Sequence, residues 1–339
     1  MIAMKDIAKK CGVSIATVSK ALNDHEDIGE ETKKLIRQTA REMGYFPNSS
    51  ARALKTKRTY NLGILFVDES MNGLTHGFFS RILNSFKVAA EEKGYDLTFI
   101  NGRSRNGRMT YLEHCMYRGF DGVMIACVDF SDPQVLELVR SPLPVVTIDH
   151  DFDMKPSVVS DNVKGMTDLM TYIASRGHRK VAYINGGDHS TVTRNRIGTY
   201  WKMVDELGLV HSDEYMVAGK YRNPGACQAK ALELLDLMDP PTCIMFPDDL
   251  AAIGGINAVK ERDLRIPDDI SIAGYDGLDL VKMLEPKITT IDQDTDALGR
   301  MAAEKLIRMI EQPKRVIIDH TLVPGKLLPG DSIGDVREA

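Results

Sequence analysis

Cys11–Asn23, "CGVSIATVSKALN", decides how the front of this chain folds. Upstream of it, Met4, Ile7, Ala8 and Cys11 repeat at i, i+3, i+4 and i+7, which makes one face of a short amphipathic helix. Gly12 stands where that helix must stop and turn. Ser14 offers a side-chain oxygen to the free amide of Thr17 and so starts a second helix. In it Val18, Ala21 and Leu22 fall on one side, and Ile15, Ala16, Ser19 and Lys20 roughly on the other. Helix, glycine-containing turn and helix is the spacing of a helix-turn-helix. A third amphipathic segment, "EETKKLIRQTAREMGY", supplies Leu35, Ile36, Thr39, Ala40 and Met43 to close a three-helix core, and Gly44 ends it. The pattern alone suits equally a helical hairpin whose polar face is merely solvated.

Charge separates the two readings. Residues 1–58 carry 12 Lys/Arg against 7 Asp/Glu, a balance of +5. The rest of the chain carries 31 against 41, a balance of −10. A basic head on an acidic body fits nucleic acid at one end only, because phosphates repel the body. The next stretch, "YFPNSSARALKTKRT", is broken by Pro47; Asn48 can cap a helix of about two turns, too short to stand alone in water. Its basic residues Arg52, Lys55, Lys57 and Arg58 suit either a solvated linker or a hinge that becomes helical on DNA.

"MKDIAKKCGVSIATVSKALN" followed by "ETKKLIRQTAREMGYFPNSSARAL" resembles, in order and spacing, the LacI/GalR family of bacterial transcription regulators. The resemblance implies that the second helix enters the major groove of operator DNA. Ile15, Ala16 and Lys20 then take the base-reading positions, with Ser14, Thr17 and Ser19 near phosphates. Asn23, Asn48, Ala51 and Arg52 join the DNA-contacting set, and Leu54 is the wedge at the operator centre. The family more often has Arg where Lys20 stands and Thr where Ala3 stands.

From residue 60 the pattern changes to strand–helix alternation. Candidate strands are "NLGILFV", "YDLTFIN", "DGVMIAC" and "PVVTID", with helices near 78–93, 107–119 and 132–140. After "SVVSDN" the alternation repeats through "KVAYIN", "EYMVAG", "TCIMF" and "ISIAGYD". Such alternation gives parallel sheets covered by helices, with ligands bound beyond the carboxyl ends of the strands. The expected architecture is an all-α head of 1–46, a hinge of 47–59 and an α/β core of 60–339 built of two doubly wound parallel sheets. By the resemblance this is a periplasmic-binding-protein-like core. Its N-lobe takes about 60–160 and 291–320, and its C-lobe about 161–290 and 321–330.

Matching the family position by position places Asp149, Arg196, Asp248 and Asp276 at effector-contacting positions, with Tyr221 aromatic among them and Phe78–Phe79 at the N-lobe mouth, Phe78 as the effector-contacting ring. "PDD" stands where the family usually has Asn-Asp, and "NGLTHGFF" where it has Asn-Pro-Phe-Phe. Ionised carboxylates only accept hydrogen bonds, so three of them call for a donor-rich ligand, and a neutral mono- or disaccharide fits. The alternatives are a purine or nucleoside corepressor, or a sugar-binding protein without DNA function. Trp201 reads as packing.

The expected partners are a pseudo-palindromic double-stranded operator, the effector and a second copy of the chain. An enzyme is not expected: no GxGxxG follows a strand with an acidic residue about 20 on, and Walker, GxSxG and HExxH motifs are missing. The five cysteines are scattered and never in CxxC spacing, so reduced thiols are expected, with neither cofactor nor metal. The longest apolar stretches are too short to cross a bilayer and the N-terminus reads as no export signal, which points to the cytoplasm.

Overall fold

The computed structural model describes residues 2–46, 58–67, 73–104, 107–187 and 190–336, and the chain divides into two compact units, Met1–Thr59 and Tyr60–Ala339.

In the first unit α1 (Met4–Cys11), α2 (Ile15–Leu22) and α3 (Glu30–Glu42) enclose a small core of Ile7, Ala8, Val18, Ala21, Ile36 and Ala40. The carboxylate of Asp6 accepts the Ala3 amide at 2.9 Å, starting α1 where no side chain at residue 3 can cap it. Gly12 closes α1 at φ 67°, a left-handed conformation that only glycine adopts at little cost. Ser14 Oγ accepts the Thr17 amide at 3.0 Å and starts α2. One expected core residue is not in the core. Leu35 is 52% exposed, and the buried stem of Lys33 takes its place. The stripe of α3 runs through 33, 36, 39 and 40, and at about 100° per residue Leu35 falls roughly 110° from its centre. Lys33 spans the core edge to reach Glu30 at 2.9 Å and Asp24 at 3.2 Å.

The second unit holds two parallel sheets. The N-lobe sheet contains β1 (Asn61–Phe66), β2 (Asp96–Phe99), β5 (Gly122–Ala126), β6 (Val145–Ile148), β7 (Ser157–Ser160) and β13 (His320–Val323), in the order β13-β7-β6-β5-β1-β2. The C-lobe sheet contains β8 (Val181–Asn185), β9 (Met216–Ala218), β10 (Cys243–Met245) and β11 (Ser271–Ala273), in the order β11-β10-β8-β9. Strands 5, 6, 7, 8 and 10 are buried throughout, as parallel strands covered on both faces must be.

Between the strands run α4 (Gly77–Glu92), α5 (Tyr111–Arg118), α6 (Pro133–Arg140), α7 (Asn162–Ser175), α8 (Thr191–Glu206), α9 (Pro224–Leu235), α10 (Asp249–Glu261), α11 (Asp279–Lys282) and α12 (Thr295–Glu311). The helix expected from 107 begins only at 111. Gly107–Arg108 (β4) pairs instead with Arg103–Ser104 (β3), and a capping box between Thr110 and Glu113 fixes the helix start. The chain passes between lobes at β7, at β12 (Thr290–Asp292) and after β13, and β12 pairs antiparallel with β14 (Lys326–Leu328). His320–Val323 belongs to the N-lobe sheet, so that lobe's share of the chain runs a little beyond 320.

Candidate functional site

On the head, Ile15, Ala16 and Lys20 are exposed together along α2, with Thr17 and Ser19 half-buried beside them. An isoleucine left 54% exposed on a helix whose opposite side builds the core is a face without an internal partner. Ser14 and Thr17 hydroxyls lie 2.9 Å apart, and the Asn23 amide donates to the Ser19 carbonyl at 2.7 Å, so both ends of α2 are tied down. Asn48, Ala51, Arg52 and Leu54 lie outside the described residues.

In the core, five of the six expected effector residues meet around one buried guanidinium. Arg196, 3% exposed on α8, donates from Nε to Asn162 Oδ1 and from Nη1 to the Pro247 carbonyl, both at 2.7 Å. Its Cζ lies 3.6 Å from the centre of the Tyr275 ring, a stacked cation–π contact. Asp149 closes β6 and accepts the Ser160 amide at 2.7 Å. Asp248 caps α10 through the Ala251 amide at 2.8 Å, and its other oxygen accepts the Arg222 amide at 2.6 Å. Asp276 follows β11 and accepts from Gln293 Nε2 at 2.7 Å. The Tyr221 hydroxyl pairs with Thr193 at 3.0 Å. A methyl group added at Gly186 would stand 1.9 Å from the Tyr221 ring, so a side chain there would displace the ring.

Asp149 and Asp276 both hold positive φ, 57° and 107°. Non-glycine residues persist in such conformations where the surroundings over-determine them, which is common at ligand sites. Phe78 is not part of this cluster. It lies in the N-lobe core, while Phe79 is the half-buried ring, against Phe66 and His76. On a helix, adjacent residues point about 100° apart, so the aromatic pair cannot serve core and mouth with the same ring.

Electrostatics modify the chemistry expected of the three acids. Burial pushes Asp276 well above the usual carboxylate range; nearby Asp248 and Asp249 add to this, while Arg196 and Gln293 oppose it. Asp248 and Asp149 are raised by burial too, with Arg196 again pulling down. Ionisation of all three at once is therefore disfavoured, and a protonated carboxyl among them can donate as well as accept. This differs from the sequence-based expectation of three acceptor-only carboxylates.

Sequence reasoning missed Asn162, Tyr275, Asp249 and Gln293. Each stands within one residue of a noticed position or on a crossover, but their convergence depends on the lobe crossings. Asp249 is fully buried, accepts from Thr290 Oγ1 and from the Leu278 amide, both at 2.7 Å, and is raised by burial to about 7. An acid raised on folding contributes stability below its unfolded pKa and loses it as pH rises through the folded one. The stability of wild type relative to Asp249→Asn should thus fall between about pH 4 and about pH 7, by up to about 1.4 kcal/mol per pH unit. Melting curves of both proteins from pH 5 to pH 8 check this; a constant gap contradicts it.

Arg81 on α4 of the N-lobe pairs with Asp279 of the C-lobe at 2.8 Å and donates to the Gly277 carbonyl at 3.2 Å, next to Asp276. Among the described residues no His/Cys/Asp/Glu group could hold a metal, and no helix is long and apolar enough to cross a membrane.

Comparison with known proteins gives two family matches. Residues 3–48 match the bacterial regulatory proteins of the lacI family, and residues 170–333 match a periplasmic binding protein-like domain. The ribose operon repressor of Escherichia coli (strain K12) is 31% identical over 317 residues, which cover 92% of this chain and 94% of that protein. The lac repressor dimer bound to operator and the anti-inducer ONPF has a TM-score of 0.83 at 22% identity, covering 98% of this chain and 99% of that one. A LacI family transcriptional regulator from Enterococcus faecium with bound ribose has a TM-score of 0.70 at 23% identity, covering 82% of this chain and all of that one.

Proposed function

The chain belongs to the lacI family of bacterial regulatory proteins, and from that premise we infer how its parts divide the work. The protein is a DNA-binding transcription repressor whose operator affinity is set by a small molecule. It works as a dimer on a pseudo-palindromic site, each α2 in a major groove and the half-sites related by the two-fold axis. Ile15 and Ala16 make apolar contacts to bases, Lys20 donates to guanine, and Ser14, Thr17, Ser19 and Asn23 hold the backbone. Residues 47–59 form the hinge, in which Asn48, Ala51 and Arg52 meet DNA and Leu54 wedges into the minor groove.

The effector is a neutral mono- or disaccharide held by Asp149, Arg196, Tyr221, Asp248 and Asp276. The observation that carries this is the buried Arg196, which keeps its charge among several acids and binds both a carbonyl and a crossover residue. Sugar hydroxyls donate and accept in pairs, which suits carboxyls of mixed protonation beside a guanidinium, and Tyr221 offers a face for C–H groups. The sugars named for the ribose operon repressor and for the Enterococcus structure support the same class. Because the cluster joins residues of both lobes, ligand binding favours one interlobe angle, and the hinge transmits the choice.

A melting screen of the full chain against neutral pentoses, hexoses and disaccharides, with purine bases and nucleosides alongside, tests the class. A native-state ligand at about 100 times its Kd adds about 2.7 kcal/mol and raises the midpoint. The expected result is stabilisation by a sugar; stabilisation by a purine alone would overturn the assignment.

A further inference from the structure

The loop between α2 and α3 carries three acids, and they do different things. Asp24 pairs with α3, reaching Arg37 at 2.7 Å and Lys33 at 3.2 Å. Glu26 is exposed. Asp27 is ion-paired through Oδ2 with Nζ of Lys20, the lysine on the reading face of α2, and both side chains stay about half exposed, 52% and 48%. An acid beside a DNA-reading surface repels phosphates, so its presence needs a compensating use.

A G·C pair shows the major groove two acceptors on guanine, N7 and O6, and next to them the N4 amino donor of cytosine. Cytosine N4 donates a hydrogen bond to guanine O6, so the two atoms lie about 3 Å apart. A lysine and a carboxylate in direct contact present the complementary order, donor beside acceptor. We propose that Lys20 and Asp27 act as one reading unit for a single G·C pair in each half-site, Lys20 donating to guanine N7 and O6 and Asp27 accepting from cytosine N4. An A·T pair in the same orientation keeps the N7 acceptor but puts the adenine amino donor where O6 stood and the thymine O4 acceptor against the carboxylate, so the O6 and N4 contacts are both lost. The ion pair also limits the stray use of Lys20 on phosphates, which weakens non-specific binding relative to specific binding.

The proposal rests on the reading of Lys20 as base-contacting, and its test separates the two. Full-length wild type, Asp27→Asn, Asp27→Glu and Lys20→Ala each select duplexes from a random pool, and affinities are then measured on the selected site and its single-base-pair variants. Both residues are exposed and outside the head's core, and melting curves verify the fold. The expected result is that Lys20→Ala and Asp27→Asn lose preference at the same G·C pair, by about tenfold or more, with other positions unchanged. Asp27→Glu should keep most of that preference, and Asp27→Asn should bind random duplex more tightly than wild type. Uniformly tighter binding by Asp27→Asn with every base preference intact would overturn the proposal and leave Asp27 as a phosphate repeller. Unaltered preference in Lys20→Ala would overturn the reading of Lys20 itself.

Discussion

Substituting Arg196 by methionine should abolish the effect of the effector on operator binding while leaving operator affinity in its absence within about threefold, since DNA affinity comes from phosphate and base contacts by the head. Methionine keeps the apolar stem and removes the guanidinium. Asn162 and the Pro247 carbonyl then lose their donor, Tyr275 loses its cation, and Asp276, Asp248 and Asp149 lose the charge that offsets their burial. Breaking a buried charged network by removing one member costs about 3–5 kcal/mol. A charged group lost from a buried ligand contact costs about 2–5 kcal/mol of binding, which is a loss of effector affinity of at least about thirtyfold. Arg196→Lys should fail as well, because an ammonium cannot reach Asn162 and Pro247 with a planar fork while stacking on Tyr275. A methionine variant that answers the effector as wild type does would remove Arg196 from the site.

Operator binding should be steeply dependent on salt. A dimer that neutralises about six to ten phosphates loses roughly three to five orders of magnitude in affinity between about 50 and about 200 mM salt. The head carries a balance of +5 over residues 1–58, and the remainder of the chain a balance of −10, so the attraction is confined to one region and the body adds none. Titrations of a selected duplex and a scrambled one across that salt range provide the check. A loss of less than about tenfold, or equal affinity for both duplexes, would mean that α2 is not a reading helix.

Local chemistry was legible in the sequence and convergence was not. Gly12, the Ser14 cap and the apolar stripes of α1 and α2 could be read because each depends on neighbours within four residues. Eight of the ten strands in the two sheets were legible as short apolar runs, β7 and β13 were not, and Asp149 stood out directly after β6 and Asp276 three residues past β11. Leu35 was read into the core in place of Lys33, because a lysine reads as polar although its stem packs like an apolar chain when its tip reaches partners. The site's inner partners were hidden for a topological reason. Asn162 starts α7 just after one crossover strand, Gln293 follows another, and each meets a residue 34 or 17 positions away in the chain. The protonation of the acids was hidden too, since it depends on how completely the lobes enclose them.

The most direct test of the account is the affinity of the full-length protein for a selected operator duplex, measured without ligand and with a saturating concentration of the sugar that stabilises it. A coupling free energy of about 1–3 kcal/mol between the two sites predicts a change in operator affinity of about 5- to 150-fold. The same operator affinity with and without saturating sugar would contradict the claim that the interlobe site controls DNA binding.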